Sequence, residues 1–484
     1  MNTLPEELLA LICDTCDHAS NKTLRLVERR FEAASTPLVF EHFYMGVFEY
    51  GLEKLNLLTK SPLAKHVKKF TIFSDILPGW EKEAWRRRID LRPDFLEWCP
   101  LSSSNSRQAA RLEYDALPRH DLTFIQLFDA WRAYLFYLRE QREWRQDQHG
   151  VRLKELISSL PNLTEAHVKC TVPFTGGTNK WPVWKGLLPH IKVGPDNWRW
   201  EARYFDPNPN YARSRGHAAL ALTEAVGYRA TFFGIKPISK LEIQSSHLGS
   251  YQDLFEALRP RSRSSAFNGS SGFEDISGSL THQGRAHHSM RVDGFRSLTS
   301  LKLHMPHATL SSRLHGVGLE LETLQFLRAA HQLRELDLRY TDDELRPDMH
   351  EEMPQLEGLF ASDEPVWPHL GRLALATNLN AEILLKFLRN HSLTLKELEL
   401  RDMSIKGVRL LVEEIPKVLQ LRHVYMECLW DESPSGHFLS VLSRGTDWED
   451  PYELGVRSYL LRKLSVMPAL TWDGGNDDNS ETHL

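Results

Sequence analysis

Residues Leu384 to Leu400 read LLKFLRNHSLTLKELEL, and their reading decides the fold. LLKFLRNHS reads as a helical segment. Behind it, Leu395, Leu398 and Leu400 form an LxxLxL pattern. Residues two apart on a strand share one face, so this pattern reads as a short strand with one apolar side. Helix, short loop and short strand make a unit that cannot bury its apolar edge alone, so the chain should repeat it.

The pattern recurs as Leu298-Leu301-Leu303, Leu333-Leu336-Leu338 and Leu370-Leu373-Leu375. Looser versions stand at Val67-Phe70-Ile72, Leu163-Ala166-Val168, Ile238-Leu241-Ile243 and Leu421-Val424-Met426. Helical segments again come first: VRLKELISSLPN precedes LTEAHV, and LVEEIPKVL precedes LRHVYM. The last five triplets start 35, 37, 25 and 26 residues apart, so the repeat is irregular. An Asn follows the strand only at Asn378; Thr341, Met403 and Leu429 take its place elsewhere. The expected class is α/β.

At 484 residues the chain exceeds the size at which a single core usually stops growing. Its net charge of −5 gives no bulk attraction to nucleic acid or anionic membrane. No apolar run approaches the ~20 residues of a membrane helix. The early apolar run is broken by Pro5, Glu6 and Glu7 and does not read as a leader. The five cysteines (Cys13, Cys16, Cys99, Cys170 and Cys428) are too few and scattered for a disulfide framework. A cytoplasmic or nuclear protein with reduced thiols is expected, without membrane or nucleic-acid partners.

Insertions interrupt the repeat. One, at about 78–150, carries Phe124, Phe128, Trp131, Leu135 and Leu138 at four-three-four-three spacing, which predicts a helix with that apolar face. It also holds Trp85-Arg86-Arg87-Arg88, read as a solvated face. A second, at 174–217, is dense in aromatics and reads as ordered but irregular. Residues 259–294, rich in Ser and Gly and including His287 and His288, read as a mobile loop. The tail at 471–484 reads as disordered.

Near the N-terminus, Ile12 to Ala19 read ICDTCDHA. Asp17 after the second cysteine excludes a c-type haem anchor, and no second ligand pair follows to complete a structural zinc site. A redox pair needs a helix N-terminus, whereas these cysteines fall at the middle and end of a first helix opened by Pro5, Glu6 and Glu7. Leu8, Leu9, Ile12 and Cys16 then share its apolar stripe, and the thiols read as buried and inert. Ser20 or Asn21 is expected to cap a second helix carrying Leu24, Val27 and Phe31, which Pro37 ends.

This stretch, about 45 residues, resembles the F-box: Leu4-Pro5 followed by Glu and paired leucines, Ile12 one turn later, and LRLV-x-RRF from Leu24 to Phe31. It departs at Cys16 and Asn21, where leucine is usual, which implies a weaker helix contact. The repeats behind it resemble the irregular leucine-rich-repeat region of many fungal F-box proteins. The resemblance implies an F-box over 1–45 and an irregular leucine-rich-repeat solenoid over 46–470. It also implies docking on a Skp-type adaptor, and through it a cullin, by Leu4, Pro5, Leu8, Leu9, Ile12 and Val27. Such a protein is a non-catalytic substrate receptor of an SCF-type ubiquitin ligase. The alternative is a repeat scaffold without ligase association.

The strand residues that alternate with the leucines then line the surface for a protein target: Glu335, Asp337, Arg339, Arg372, Glu397, Glu399, Arg401, His423 and Tyr425, with Glu165, His167, Lys169, Lys240, Glu242 and Gln244 on earlier rungs. No GxSxG, GxxxxGK[ST], HExxH or strand-borne GxGxxG motif is present, so neither cofactor, metal nor catalysis is expected.

Overall fold

The computed structural model describes residues 4–73, 82, 124–144, 146–169, 219, 221–230, 235–244, 295–306, 325–341, 360–377, 379–431, 438–439 and 451–465. It is an α/β structure whose sheet is mostly parallel. It divides into two compact units, Met1–Leu163 with His167–Leu222, and Thr164–Ala166 with Thr223–Leu484. Trp85 to Arg88, Asn378 and the segments 174–217, 259–294 and 471–484 lie outside the described residues.

The first unit opens with helices α1 (Glu6–Thr15), α2 (His18–Leu24) and α3 (Arg29–Phe40). Two helices were expected here; the second is broken at Arg25 to Glu28. Asp17, not Ser20 or Asn21, caps α2, its carboxylate accepting the Ser20 N–H at 2.7 Å. Pro37 does not end α3. The helix runs one turn further, because Val39 beyond the proline is buried. Strands β1 (His42–Gly46) and β2 (Lys69–Phe73) follow and pair in parallel, with α4 (Glu49–Thr59) between them.

Helix α5 (Phe124–Glu143) forms as expected, but its expected apolar face is buried only in part, at Leu138 and partly at Trp131. Phe128 and Leu135 are half exposed, whereas Tyr134 and Leu138 are buried, with Trp131 stacked 5.3 Å from Tyr134. Glu140 on the same helix accepts the Glu49 N–H at 3.0 Å and so satisfies the open N-terminus of α4, where Phe48 offers no side-chain cap. Helix α6 (Val151–Ser158) then leads to β3 (Glu165–Lys169).

In the second unit, β4 (Lys240–Gln244), β5 (Ser300–Pro306), β6 (Glu335–Thr341), β7 (Arg372–Ala376), β9 (Glu397–Lys406) and β10 (His423–Asp431) pair in parallel in that order. The two-residue β8 (Leu379–Asn380) also joins β9, and β11 (Phe438–Leu439) runs antiparallel to β10. Helices α7 (Gln325–Ala329), α8 (Ala381–Asn390) and α9 (Val408–Val418) precede β6, β9 and β10, and α10 (Pro451–Leu460) comes last.

All eight triplets, strict and loose, are buried. Register stacks the six triplets of the second unit into two columns, Leu241-Leu301-Leu336-Leu373-Leu398-Val424 and Ile243-Leu303-Leu338-Leu375-Leu400-Met426. Each such side chain contributes about 1.5–3 kcal/mol by leaving water, so the columns are the main stabilising element of this unit.

A backbone clamp repeats with them. One carbonyl just before each strand accepts two consecutive N–H groups at the start of the next. The carbonyls of Thr164, Ser239, Thr299, Arg334, Gly371 and Lys396 do this for β4, β5, β6, β7, β9 and β10. Met403 and Leu429 are buried register partners, because β9 and β10 run on where an Asn turn would have ended them.

Ahead of β7 an aromatic cluster fills the interior. Trp367 is fully buried, donates Nε1–H to the Leu327 carbonyl at 3.0 Å, and meets Phe360 and Phe387 edge-on at 6.5 and 5.8 Å.

Candidate interaction surfaces

The N-terminal helices close on a small core of Leu9, Cys13 and Phe31, with Leu4, Leu24, Ala34 and Leu38 packed partly against it. Of the six residues expected to dock an adaptor, Leu9 is therefore turned inward and Leu4 is half-buried. Pro5, Leu8, Ile12 and Val27 face out. Two apolar residues outside that set face out as well. Leu11 is 58% exposed and Leu26 is 87% exposed. Leu8, Leu11 and Ile12 stand at i, i+3 and i+4, so they form one outward stripe of α1. Leu26 and Val27 project from the turn between α2 and α3. Exposed apolar groups gathered this way mark an interaction site more often than a free surface.

Of the two thiols expected to be buried, one is fully so. Cys13 is the fully buried one, while Cys16 is half-buried at the C-terminus of α1. Burial, then the neighbouring Cys16 and Asp14, pushes the Cys13 thiol pKa up, the opposite of an activated nucleophile. In the folded chain Cys13 should alkylate far more slowly than in urea. Equal rates, followed by mass spectrometry of the Cys13 peptide, would contradict this burial.

Asn21 is held in place by hydrogen bonds. It is buried, and its Nδ2 donates to the Cys13 carbonyl at 2.9 Å and the Cys16 carbonyl at 3.2 Å, closing the end of α1.

On the second unit the alternating residues lie on the sheet face opposite the leucines, and those around Asp337 and Glu399 form one ion network. Asp337 and Arg339 sit two apart on β6. Arg339 grips Asp337 with both ends of its fork, Nε to Oδ1 at 2.7 Å and Nη2 to Oδ2 at 3.0 Å. The same Nη2 reaches Glu399 Oε1 at 3.0 Å on β9, although β7 lies between. The crossing is open because the intervening β7 positions are Ala374 and Ala376.

Glu399 also accepts from Arg372 at 3.3 Å and pairs with Arg401, whose guanidinium lies 4.2 Å over the Tyr425 ring. His304 Nε2 stands 3.3 Å from Asp337 Oδ1. Glu335 accepts from Ser300 Oγ at 3.0 Å, Glu397 lies 3.8 Å from Arg372 Nε, and Lys240 meets Glu165 at 3.1 Å. His423 is the exposed register partner of Glu397. Burial opposes ionisation of Asp337, but hydrogen bonds from His304 and Arg339 and their charges outweigh it and hold its pKa down to about 2.

Among the described residues no group of three His, Cys, Asp or Glu side chains is placed to hold a metal ion, and no helix is long and apolar enough to cross a membrane. No family model matches the chain, and no curated protein matches it.

Proposed function

We propose that this chain is the substrate-recognition subunit of an SCF-type ubiquitin ligase. Its F-box-like helices dock a Skp-type adaptor, and its leucine-rich-repeat-like sheet face takes up a target protein. It performs no chemistry itself. Recruitment raises the effective concentration of the target near a ubiquitin-loaded enzyme, and the gain is proximity.

The observation that carries the reading is the outward stripe of Leu8, Leu11 and Ile12 with Leu26 and Val27, standing where the sequence resembles the F-box. Burial of Leu9, Cys13 and Phe31 beneath it supports the same reading, since the helices hold themselves together and leave the stripe for a partner. The second reading, a repeat scaffold whose first helices are a cap, draws on the direct run of α3 into β1.

A pull-down with a purified Skp-type adaptor separates them. The intact chain should retain the adaptor. Leu8→Asp/Val27→Asp, which alters exposed positions and so leaves the fold intact, should lose at least about tenfold in affinity. A folded chain that retains no adaptor would rule out the ligase reading and leave the scaffold.

A further inference from the structure

We propose that His391 is a proton-operated latch on the corner where α8 passes into β9. The neutral ring locks that corner, and the protonated ring lets it open.

His391 caps the C-terminus of α8 and is only 2% exposed. Its Nδ1 lies 2.8 Å from the Phe387 carbonyl and so carries a proton, and its ring stacks on that of Phe387 at 4.1 Å. Phe387 in turn meets Phe360 and Trp367 edge-on, so the ring sits at the margin of the aromatic cluster. Nε2 is buried too and has no hydrogen-bond partner among the described residues. In the neutral ring that nitrogen bears a lone pair, and leaving it unmet is tolerable. In the protonated ring it becomes a charged donor with nothing to accept it, which is far more costly.

Burial, only partly offset by the Phe387 carbonyl, holds the His391 pKa below the ordinary 6.5. The charged groups on the elements that meet here are matched among themselves. In the segment before β7, Asp363 pairs with Lys386 of α8 at 2.5 Å, while Glu364 and His369 are exposed. On α9, Glu414 is held by Arg389 of α8 and by Lys417, and Glu413 by Arg409. At the start of β9, Glu397 turns to Arg372 on the sheet face, and Lys396 brings a like charge. These acids already have cations of their own, so the ring's state is governed by burial and not by a neighbouring charge.

The sign follows from linkage. Below pH 6.5 an opened corner takes up a proton that the closed one resists, so acid favours opening. The gain is up to about tenfold per pH unit, until the closed form is protonated as well. Opening frees more than one ring. The His391 carbonyl accepts the Leu395 N–H at 2.9 Å, and Asn390 ties the same turn to the Ser362 carbonyl at 3.0 Å. The next carbonyl that clamps a strand, that of Lys396, follows directly after Leu395.

The experiment is hydrogen exchange of the full chain between about pH 7.5 and pH 5, corrected for the intrinsic exchange rate. Peptides from α8 and the start of β9 should open about tenfold more per pH unit as the pH falls below 6.5. His391→Asn keeps a donor for the Phe387 carbonyl and removes the titrating ring. Whatever it costs at neutral pH, its opening should no longer depend on pH, a change that simple loss of packing does not produce. If His391→Asn fails to fold, His391→Phe fills the ring's place without a titrating group and serves the same comparison. His369→Asn, at an exposed position in the neighbouring segment, should keep the full dependence. Asp337 titrates far below this window and does not contribute. Opening that does not grow with acid in the parent, or an equal dependence in His391→Asn or His391→Phe, would overturn the proposal.

Discussion

Trp367→Ala should cost the second unit about 3–5 kcal/mol, the loss typical of emptying a fully buried large aromatic site. The indole spans three pieces of chain: it donates to the Leu327 carbonyl in α7 and packs edge-on against Phe360 and Phe387 of α8. Truncation leaves a cavity among rigid neighbours and a buried carbonyl without its donor. Trp367→Phe fills part of the volume but still abandons that carbonyl, so about 1–3 kcal/mol should remain lost. With thirteen tryptophans in the chain, bulk fluorescence reports poorly on one of them. Hydrogen exchange of peptides covering β7 and α8 is the direct readout. Unchanged protection in Trp367→Ala would mean that the cluster is not a structural centre.

Arg339→Met should be nearly as damaging, at about 3–5 kcal/mol, because it takes from buried Asp337 its bidentate partner, leaving only His304, and from buried Glu399 one of its three arginines. Arg339→Lys should recover little, since a single ammonium cannot grip Asp337 bidentately and reach Glu399 as well. Arg409→Met is the contrast. Its pair with Glu413 is mostly exposed, and its loss should cost no more than about 0.5 kcal/mol.

The network also sets an acid limit. The Asp337 pKa is depressed in the folded state to about 2 from an ordinary 3.8, so its contribution is complete above pH 3.8 and is lost as pH falls through 2. About 2 kcal/mol is involved. Amides of β6 and β9 should therefore lose protection on acidification from pH 4 to pH 2. Asp337→Asn should remove most of that dependence while lowering protection at neutral pH. An acid response identical in Asp337→Asn and the parent would place the titrating group elsewhere.

The strands were legible in the sequence because burial of one strand face forces a period of two, and the first triplet residue adds a fixed offset. Even Leu163-Ala166-Val168, weak as a pattern, lies in the interior. The connectivity of the face was not legible. Alternation names Arg339 and Glu399 as neighbours of the same surface, but their contact depends on two alanines in a strand that neither belongs to.

The N-terminal helices erred for local reasons. Asp17 was read as an exclusion of haem rather than as a cap, and a polar Asn21 gave no signal that it would turn inward to close α1. In α5 the spacing was right for a helix and for the burial of Leu138, but it did not reveal that Tyr134 would be buried while Phe128 and Leu135 stay exposed. Leu11 and Leu26 were readable as apolar, but only the packing of Leu9 and Phe31 reveals that they are left outside.

The clamp in which one carbonyl takes two successive N–H groups has a consequence for variation. It fixes the pitch from strand to strand at a single atom and places no demand on the chain that returns between them. Intervals of 25 and 37 residues accordingly enter the same register without a slip. The return segments are thus free to grow, shrink or be exchanged while the stack stays aligned. New surface can be tried at the periphery of such a protein at almost no cost to its centre.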